Sequence, residues 1–314
     1  MMSRIGFMLL MLILWCGLPG LAFAGCTFSS TSASLGSQSS FTLATTSQGV
    51  NTGSGFVCTN NSLLTLLGTN TISATINTGQ PASNVPQLAG GGYTVPYVLC
   101  KDSSCSTTYN DGSTITWSST TLLSILGLFS YSDGSLPLYI KTTTGVNVPA
   151  GTYTDTITLH WNYSLCFAGI LVCDYTTGSG TSTIKVTLVV TNDCYIDNAS
   201  NILFNQAALP GLFPVVNGNI SVRCTLNSTY SLNLTSSVTG TGNWRRMVAT
   251  VNGTPSYLQY QILRNSTPWT STNDYSAVGS GTSQSIPVTA QVNPGQANVP
   301  AGSYQDTVTV TITY

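Results

Sequence analysis

Charged residues are scarce in this chain of 314 residues. They make up 5% of the sequence, against roughly 25% in an ordinary soluble domain. All the acidic residues are Asp, and His160 is the single histidine. The formal net charge of −1 provides no basic footprint for nucleic acid, and the absence of Glu with so few Lys disfavours long solvated helices.

The same scarcity disfavours an enzyme. Nucleophilic catalysis needs a base beside the nucleophile, and His160, the single histidine, falls on the outer face of a predicted strand. Paired-carboxylate chemistry would have to use Asp residues that mostly stand in turns, such as Asp111-Gly112 and Asp133-Gly134. No Cys-x-x-Cys pair is present, so we expect neither a metal site nor a cofactor.

The amino terminus has the pattern of an export signal. Residues 5–18 are almost wholly apolar and follow Arg4, and residues 22–24 form a small-x-small cleavage signal. No later run of about 18 apolar residues occurs, so no other segment is expected to span a bilayer. We therefore predict a signal peptide over residues 1–24, although residues 23–26 also resemble a lipoprotein box that would lipidate Cys26.

The cysteine count indicates an oxidising compartment. Of the 9 cysteines, Cys16 leaves with the signal peptide, and an even number remains in an exported protein. Their spacing predicts two long-range and two short-range disulfides, which are Cys26–Cys58, Cys194–Cys224, Cys100–Cys105 and Cys166–Cys173.

A diverged internal repeat divides the chain into two domains. Abundant Thr, Val, Ile and Tyr, interrupted by Gly and Asn, predicts an all-β fold. The sequence VPAGTYTDTITL at residues 148–159 recurs as VPAGSYQDTVTV at residues 299–310. Each copy lies downstream of a long-range cysteine pair, so we predict tandem β-sandwich domains over residues 25–190 and 191–314.

Both copies are predicted to form a turn followed by an alternating strand. In each copy, four apolar residues are predicted to lie on one face of the strand. They are Ile157, Leu159, Trp161 and Tyr163 in the first copy and Val308, Val310, Ile312 and Tyr314 in the second. The opposite side carries Thr and His160, which makes His160 a surface residue in this interpretation.

The two copies differ in the residues that come after them. Another alternating strand, residues 182–190, comes after the first copy, whereas the given sequence stops at Tyr314. That strand has four inward apolar side chains, which at roughly 1.5–3 kcal/mol each contribute about 6–12 kcal/mol, comparable to the stability of a whole domain. We therefore expect the second sandwich to lack its last strand and to accept one from another chain. Closure by a different strand of the same chain is the alternative.

At this point the residues resemble a known family, the spore coat protein U-like pilin domains of archaic, Csu-type chaperone–usher pili. The stretches that match are GNISVRCT at 218–225, RRM at 245–247, YLQYQIL at 257–263 and, most specifically, VPAGSYQDTVTVTITY at 299–314. The first domain matches more loosely, at residues 56–59 and 148–163.

The resemblance implies a fold, partners and a location. Pilin domains of this kind resemble incomplete immunoglobulin-like sandwiches, held first by a strand of a periplasmic chaperone, delivered to an outer-membrane usher, and completed by the N-terminal extension of the adjacent pilin. Cys26 is the second residue of the predicted mature chain, so we expect no donor segment before the first strand. A two-domain subunit that accepts but does not donate resembles the extracellular tip adhesin of such a pilus.

Three apolar segments of the first domain break the alternating pattern and are the candidate adhesive surface. Their apolar residues are Leu63, Leu64, Leu66 and Leu67; Leu122, Leu123, Ile125, Leu126, Leu128 and Phe129; and Phe167, Ile170, Leu171 and Val172. The third segment is bracketed by Cys166 and Cys173 and is expected to project as a hairpin tip, which favours an interaction surface. Csu-type tip adhesins resemble this arrangement, with three hydrophobic finger-like loops that bind apolar, abiotic surfaces and promote biofilm formation.

Three alternatives stay open at this stage. The second segment has helical spacing and could be a buried short helix. A glycan-binding adhesin would need aromatic platforms, for which Tyr93, Tyr97, Trp117 and Tyr131 are available. A structural spore or cell-coat protein of the same domain family is the third interpretation.

Overall fold

The computed structural model describes residues 25–59, 70–119, 129–166 and 175–314. The predicted signal peptide lies outside these ranges. Within them the elements are strands, apart from one short helix, α1 (Ser40–Thr45), and a 3-10 turn at Pro210–Leu212. No helix in the described part of the chain combines the length and apolar character needed to cross a membrane.

The first domain, described between residues 25 and 191, contains eleven strands. They are β1 (Gly25–Phe28), β2 (Ser30–Ser39), β3 (Gly49–Gly53), β4 (Phe56–Thr59), β5 (Asn70–Thr78), β6 (Gln87–Gly90), β7 (Tyr93–Cys100), β8 (Thr114–Ser119), β9 (Pro137–Thr142), β10 (Gly151–Cys166) and β11 (Tyr175–Thr191). The main sheet runs in the order β2-β11-β10-β6-β7-β9-β3, β5 lies between β10 and β8, and β1 pairs with β4.

The second domain, residues 194–314, contains nine strands in two sheets. They are β12 (Cys194–Ala199), β13 (Val216–Cys224), β14 (Thr229–Ser236), β15 (Arg245–Val251), β16 (Thr254–Arg264), β17 (Thr267–Pro268), β18 (Tyr275–Val278), β19 (Ser283–Val292) and β20 (Val308–Thr313). One sheet has the order β12-β13-β19-β16-β15, with β17 on β16, and the other has the order β18-β14-β20.

The prediction of a nearly all-β chain with two sandwich-like domains is confirmed. The apolar core of each domain is separate from the other, and no strand of one domain pairs with a strand of the other among the described residues. Alternation explains the pairing of β10 with β11, because Ile157, Leu159 and Trp161 point inward and are at most 1% exposed, while His160 and Asn162 on the opposite face are exposed. Only two residues, Asn192 and Asp193, separate β11 from β12.

The repeated motif is held by the same hydrogen bonds in both domains. Its tyrosine turns back on the motif, with the Tyr153 hydroxyl donating to the carbonyl of Pro149 over 2.8 Å and the Tyr304 hydroxyl donating to Pro300 over 2.8 Å. This arrangement resembles the tyrosine corner of immunoglobulin-like sandwiches, and we use that term for it. Because the hydroxyl fixes the turn, the next strand begins at a defined position.

The aspartate of the motif also has equivalent partners in the two copies. Asp155 accepts a hydrogen bond from the Tyr97 hydroxyl at 2.7 Å, and Asp306 accepts one from the Tyr260 hydroxyl at 2.6 Å. Backbone amides also donate hydrogen bonds to each carboxylate. The donors are the amides of Gly79 and Thr156 for Asp155 and the amide of Ser237 for Asp306. Each Asp therefore ties its strand to a strand that is distant in sequence.

Three disulfides that the sequence predicts are present, namely Cys26–Cys58, Cys100–Cys105 and Cys194–Cys224. The first and third join equivalent strand pairs, β1 with β4 and β12 with β13. Cys173, the partner predicted for Cys166, lies outside the described residues, so that pair stays a prediction.

Candidate functional site: an open strand edge and a distal pole

The last strand of the second domain has a strand on one edge. β20 pairs with β14 in antiparallel register from Ser231↔Thr313 to Ser236↔Val308. Among the described residues no strand pairs with its other edge. Val308, Val310 and Ile312 lie against the core and are half-buried, and Tyr314, just beyond the strand, is 55% exposed. We call this unpaired side of β20 the open edge.

The equivalent strand of the first domain is closed on both sides. β11 pairs with β10 along its whole length, and β6 and β5 pair with the opposite edge. Ile157, Leu159 and Trp161, which align with the three half-buried residues of β20, are fully buried as a result. The same motif therefore produces a finished core strand in one domain and a half-covered strand in the other.

The segment after β12 forms a second apolar wall in the second domain. Ile202 and Phe204 lie half-buried against the core, and Phe204 contacts Tyr260 edge-on at a centroid distance of 6.3 Å. On β12 itself Ile196 remains 38% exposed. In the first domain the strand after β1, β2, pairs in parallel with β11. The second domain has no counterpart of β11 among its described strands, so Ile202 and Phe204 lack that cover.

A buried polar cluster lies between the two sheets of the second domain. Arg245 is 7% exposed and donates to the Ser236 hydroxyl and to the carbonyls of Leu234 and Trp269. Burial lowers the pKa of its guanidinium, although Tyr260 and Asp306 lie near enough to oppose that shift. Burial also raises the pKa of the Tyr260 hydroxyl, and its hydrogen bond to Asp306 adds to the effect. The cluster links the two sheets but leaves the outer side of β20 free.

The three apolar segments predicted to be adhesive leave the first domain from adjoining strand ends. Asn70 and Ser119, which flank the first and second segments, are paired with each other at the start of β5 and the end of β8. Thr71 pairs with Ser164 of β10, and Cys166 pairs with Tyr175 across the third segment. We call this end of the first domain the distal pole, because β10 and β11 run from it to the end that meets the second domain.

A cluster of aromatic rings supports the distal pole. Phe56 stacks on Trp161 with a centroid distance of 4.7 Å and on Phe28 at 5.4 Å, and it also contacts Tyr163 and Phe129. Such pairs add about 0.5–1.5 kcal/mol each beyond the area they bury. The strands that end at the distal pole are therefore held together by tightly packed aromatic side chains.

Most residues of the predicted adhesive surface lie outside the described residues. These are Leu63, Leu64, Leu66, Leu67, Leu122, Leu123, Ile125, Leu126, Leu128, Phe167, Ile170, Leu171 and Val172. Phe129 is described, and it is half-buried against Phe56 at a centroid distance of 5.8 Å. The end of the second segment is thus joined to the core, while its other residues keep both the loop and the helix interpretation.

The structure removes two aromatic residues from the glycan-binding alternative. Tyr97 is fully buried and Trp117 is 6% exposed, because Trp117 stacks on Trp161 at 5.7 Å and is covered by Lys101. Neither ring can serve as a platform for a sugar. Tyr93 and Tyr131 are half-buried. His160 is exposed on the outer face of β10, and no group of three or more His, Cys or Asp residues in the described ranges could hold a metal ion.

Sequence comparison identifies the family. The model of the Spore Coat Protein U domain matches residues 21–160 and again residues 180–311. The chain belongs to the Spore Coat Protein U domain family. No curated protein sequence matches it.

Two solved structures can be compared with this member of the family. One is a chain of the CsuC–CsuE chaperone–tip adhesion subunit pre-assembly complex from archaic chaperone–usher Csu pili of Acinetobacter baumannii. It is 25% identical, with a TM-score of 0.58, and the match covers 92% of this chain and 100% of that one. A chain from a chaperone–tip adhesin complex of CFA/I fimbriae is 11% identical, with a TM-score of 0.32 and coverage of 91% and 95%. The family and the Csu structure are those of pilus structural and adhesin proteins.

Proposed function

We propose that the chain is the tip adhesin subunit of an archaic chaperone–usher pilus, which attaches cells to hydrophobic or abiotic surfaces and promotes biofilm formation. The contrast between β10, paired on both edges, and β20, paired on one, carries the proposal. The match to the tip adhesion subunit complex over 92% of the chain supports it. The second domain would attach the subunit to the fibre and the first would present the distal pole to a surface.

The open edge would accept a strand from another protein. A strand laid along β20 would satisfy its unpaired backbone groups, and alternate apolar side chains would cover Val308, Val310 and Ile312. The pairing of β11 in the first domain, antiparallel to β10 and parallel to β2, supports such an arrangement for a donated strand. The donors would be a periplasmic chaperone during export and the N-terminal segment of the adjacent pilin after passage through the outer-membrane usher.

The distal pole would bind surfaces by burying apolar side chains. Each Leu or Phe contributes roughly 1.5–3 kcal/mol when fully buried and less against a flat surface. Many pili on one cell would add avidity. The three segments leave from strand ends that stand on packed aromatic rings, so their bases would lose little conformational entropy on contact.

Replacing apolar residues of the third segment tests the adhesive role. We expect Phe167→Ser, Ile170→Ser and Leu171→Ser, made together, to abolish attachment of piliated cells to plastic while pili still assemble. The matched control is Leu203→Ser, Leu209→Ser and Leu212→Ser, which removes three exposed apolar side chains from the second domain. Normal attachment by the first variant, with pilus number unchanged, would refute the assignment of the distal pole.

Co-expression and labelling test the place in the fibre. We expect a periplasmic chaperone to co-purify with the chain and Val310→Arg on β20 to prevent it, because the charge would stand where the incoming strand packs. Immunogold particles on intact pili should mark one end. Labelling along the whole shaft would contradict the tip position.

The family description also keeps a coat protein under consideration. A structural spore or cell-coat protein of this domain family would assemble without an usher. Deleting the usher distinguishes the two functions, because it should abolish surface display of a pilus adhesin and leave a coat protein in place.

A further inference from the structure

The two domains meet at a defined set of side chains, which we call the joint. It comprises Ser40 and Phe41 of α1 in the first domain, Asp193 of the linker, and Tyr195, Arg223 and Thr225 of the second domain. The joint lies at the end of the first domain opposite the distal pole, because α1 comes directly after β2 where Ser39 pairs with Thr191, the last residue of β11.

The centre of the joint is a buried hydroxyl pair. The Oγ atom of Ser40 lies 2.9 Å from Oγ1 of Thr225, and the two residues are 3% and 0% exposed. Thr225 also fixes the linker, since its Oγ1 accepts from the amide of Asp193 at 2.9 Å and its own amide donates to the carbonyl of Asp193 at 3.0 Å. The linker therefore has little freedom to swivel.

Beside this pair, the ring of Phe41 packs against two side chains of the second domain, those of Tyr195 and Arg223. Its ring meets that of Tyr195 edge-on at 5.4 Å, and the guanidinium of Arg223 lies 5.2 Å from the Phe41 ring and 5.6 Å from the Tyr195 ring. Both distances fall within the roughly 6 Å over which a cation attracts an aromatic face. The same guanidinium also forms an ion pair with Asp197, whose Oδ1 lies 3.1 Å from Nη2.

The disulfide of the second domain joins the two strands that contact Phe41. Cys194 stands between Asp193 and Tyr195, and Cys224 stands between Arg223 and Thr225. The Cys194–Cys224 bond therefore joins β12 and β13, which supply Tyr195 and Arg223 to the joint and lie next to Asp193 and Thr225 in the chain. A pull that enters β12 through the linker passes covalently to β13.

Two further contacts lie on other segments of each domain. The Asn227 side-chain amide donates to the Tyr93 hydroxyl at 3.0 Å, and that of Asn147 donates to the carbonyl of Ser280 at 3.0 Å. The domains are thus attached through three segments on each side, in addition to the linker. Relative domain motion is the default expectation for a polar interdomain contact, and several separate attachments oppose it.

We propose that the joint locks the two domains in one orientation, so that the chain behaves as a single stiff arm between the open edge and the distal pole. The contacts of Tyr195 and Arg223 with Phe41 hold this orientation, and the Cys194–Cys224 disulfide keeps β12 and β13 together. A load on the distal pole would then pass into the second domain without bending at a hinge. This inference does not depend on what the distal pole binds.

Pulsed electron paramagnetic resonance on the mature full-length chain tests the lock. Spin labels carried by unnatural amino acids at Lys185 on β11 and at Thr272 in an exposed turn of the second domain avoid the native cysteines. We expect one narrow distance distribution for the wild type. Both Arg223→Ala and Phe41→Ala should broaden it, and because they alter opposite domains, local unfolding of one domain cannot explain both results.

Arg246→Ala is the matched control, since Arg246 also stacks on a tyrosine, Tyr257, at 4.4 Å but within the second domain. It should leave the distribution narrow. A wild-type distribution that is already broad, or one that stays narrow in both joint variants, would overturn the proposal. Because both labels are on this chain, the result is independent of which protein occupies the open edge.

Discussion

The two copies of the repeated motif have the same local structure and different neighbours. In each, a tyrosine corner starts the segment and a buried tyrosine hydroxyl holds the aspartate. β10 is then covered by β11, whereas β20 is covered on one edge only. The comparison teaches that the motif specifies a strand and its register, while the chain around it decides whether that strand is paired on both edges or on one.

The largest expected effect comes from shortening an inward side chain in each copy. Leu159→Ala should destabilise the first domain by about 2–5 kcal/mol, because Leu159 is fully buried and leaves a cavity. Val310→Ala should cost only about 1 kcal/mol in the free chain, since Val310 is half-buried, and more once a strand covers β20. Urea unfolding of the full-length variants, with and without bound chaperone, measures both. If Val310→Ala lowered the free energy of unfolding equally in the free chain and in the chaperone complex, the open edge would receive no strand.

Removing the equivalent long-range disulfides should have nearly as large an effect. Cys26→Ser with Cys58→Ser, and Cys194→Ser with Cys224→Ser, open loops of 32 and 30 residues and should each cost about 3–4 kcal/mol. The Cys100–Cys105 bond spans 5 residues and provides the control, with an expected cost of about 2 kcal/mol. Thermal unfolding compares the three double variants. If the short bond proved the most stabilising, the proposed equivalence of the two long staples would be wrong.

The buried tyrosine hydroxyls should rank next. Tyr97→Phe removes the donor to Asp155, a carboxylate that is 5% exposed, and should cost about 1.5–3 kcal/mol. Tyr260→Phe should cost less, because Asp306 is half-buried and retains the amide and hydroxyl of Ser237 as donors. Chemical denaturation of the two variants checks the order. A larger loss for Tyr260→Phe would mean that the second copy is the more tightly packed.

The smallest expected effect is on the pH dependence of stability. Burial raises the pKa of the Asp155 carboxyl, although hydrogen bonds from Tyr97, Thr156 and Gly79 favour its charged form. The folded domain therefore binds this proton more tightly than the unfolded chain, and the resulting stability is complete below the ordinary carboxyl pKa and is lost as the pH rises through the raised value.

Asp155→Asn should remove that part of the pH profile of the first domain, and Asp274→Asn in the second domain should leave it unchanged. Melting temperatures measured from acidic to neutral pH test this. If the difference in melting temperature between the wild type and Asp155→Asn showed that Asp155 stabilises the first domain more as the pH rises, its pKa would be lowered and not raised.

Much of the fold could be predicted from the sequence because strand alternation is a local signal. Residues 148–163 and 299–314 predicted both strands and their inward faces, and the spacing of the cysteines predicted the two equivalent disulfides that the structure contains. The match of one family model to both halves agrees with the repeat.

Contacts between distant residues could not be predicted in the same way. Asp155 occupies an inward position that looks unfavourable until Tyr97, 58 residues away, is seen to donate to it. Ser40 and Thr225 are 185 residues apart, and neither carries a local signal for the other. The helix α1 was missed as well, although Ser39 caps it by accepting from the amide of Thr42, a pattern that the sequence does contain. Burial of Tyr97 and Trp117 likewise depends on neighbours that composition cannot reveal.

Hydrogen exchange of the backbone amides of β10 and β20 tests the central claim most directly. The mature full-length chain would be measured alone and in complex with its periplasmic chaperone. We predict that β10 is protected in both states, whereas the outward-facing amides of β20 exchange rapidly in the free chain and slowly in the complex. Equal and strong protection of β20 in the free chain would show that its outer edge is already paired, which contradicts strand acceptance.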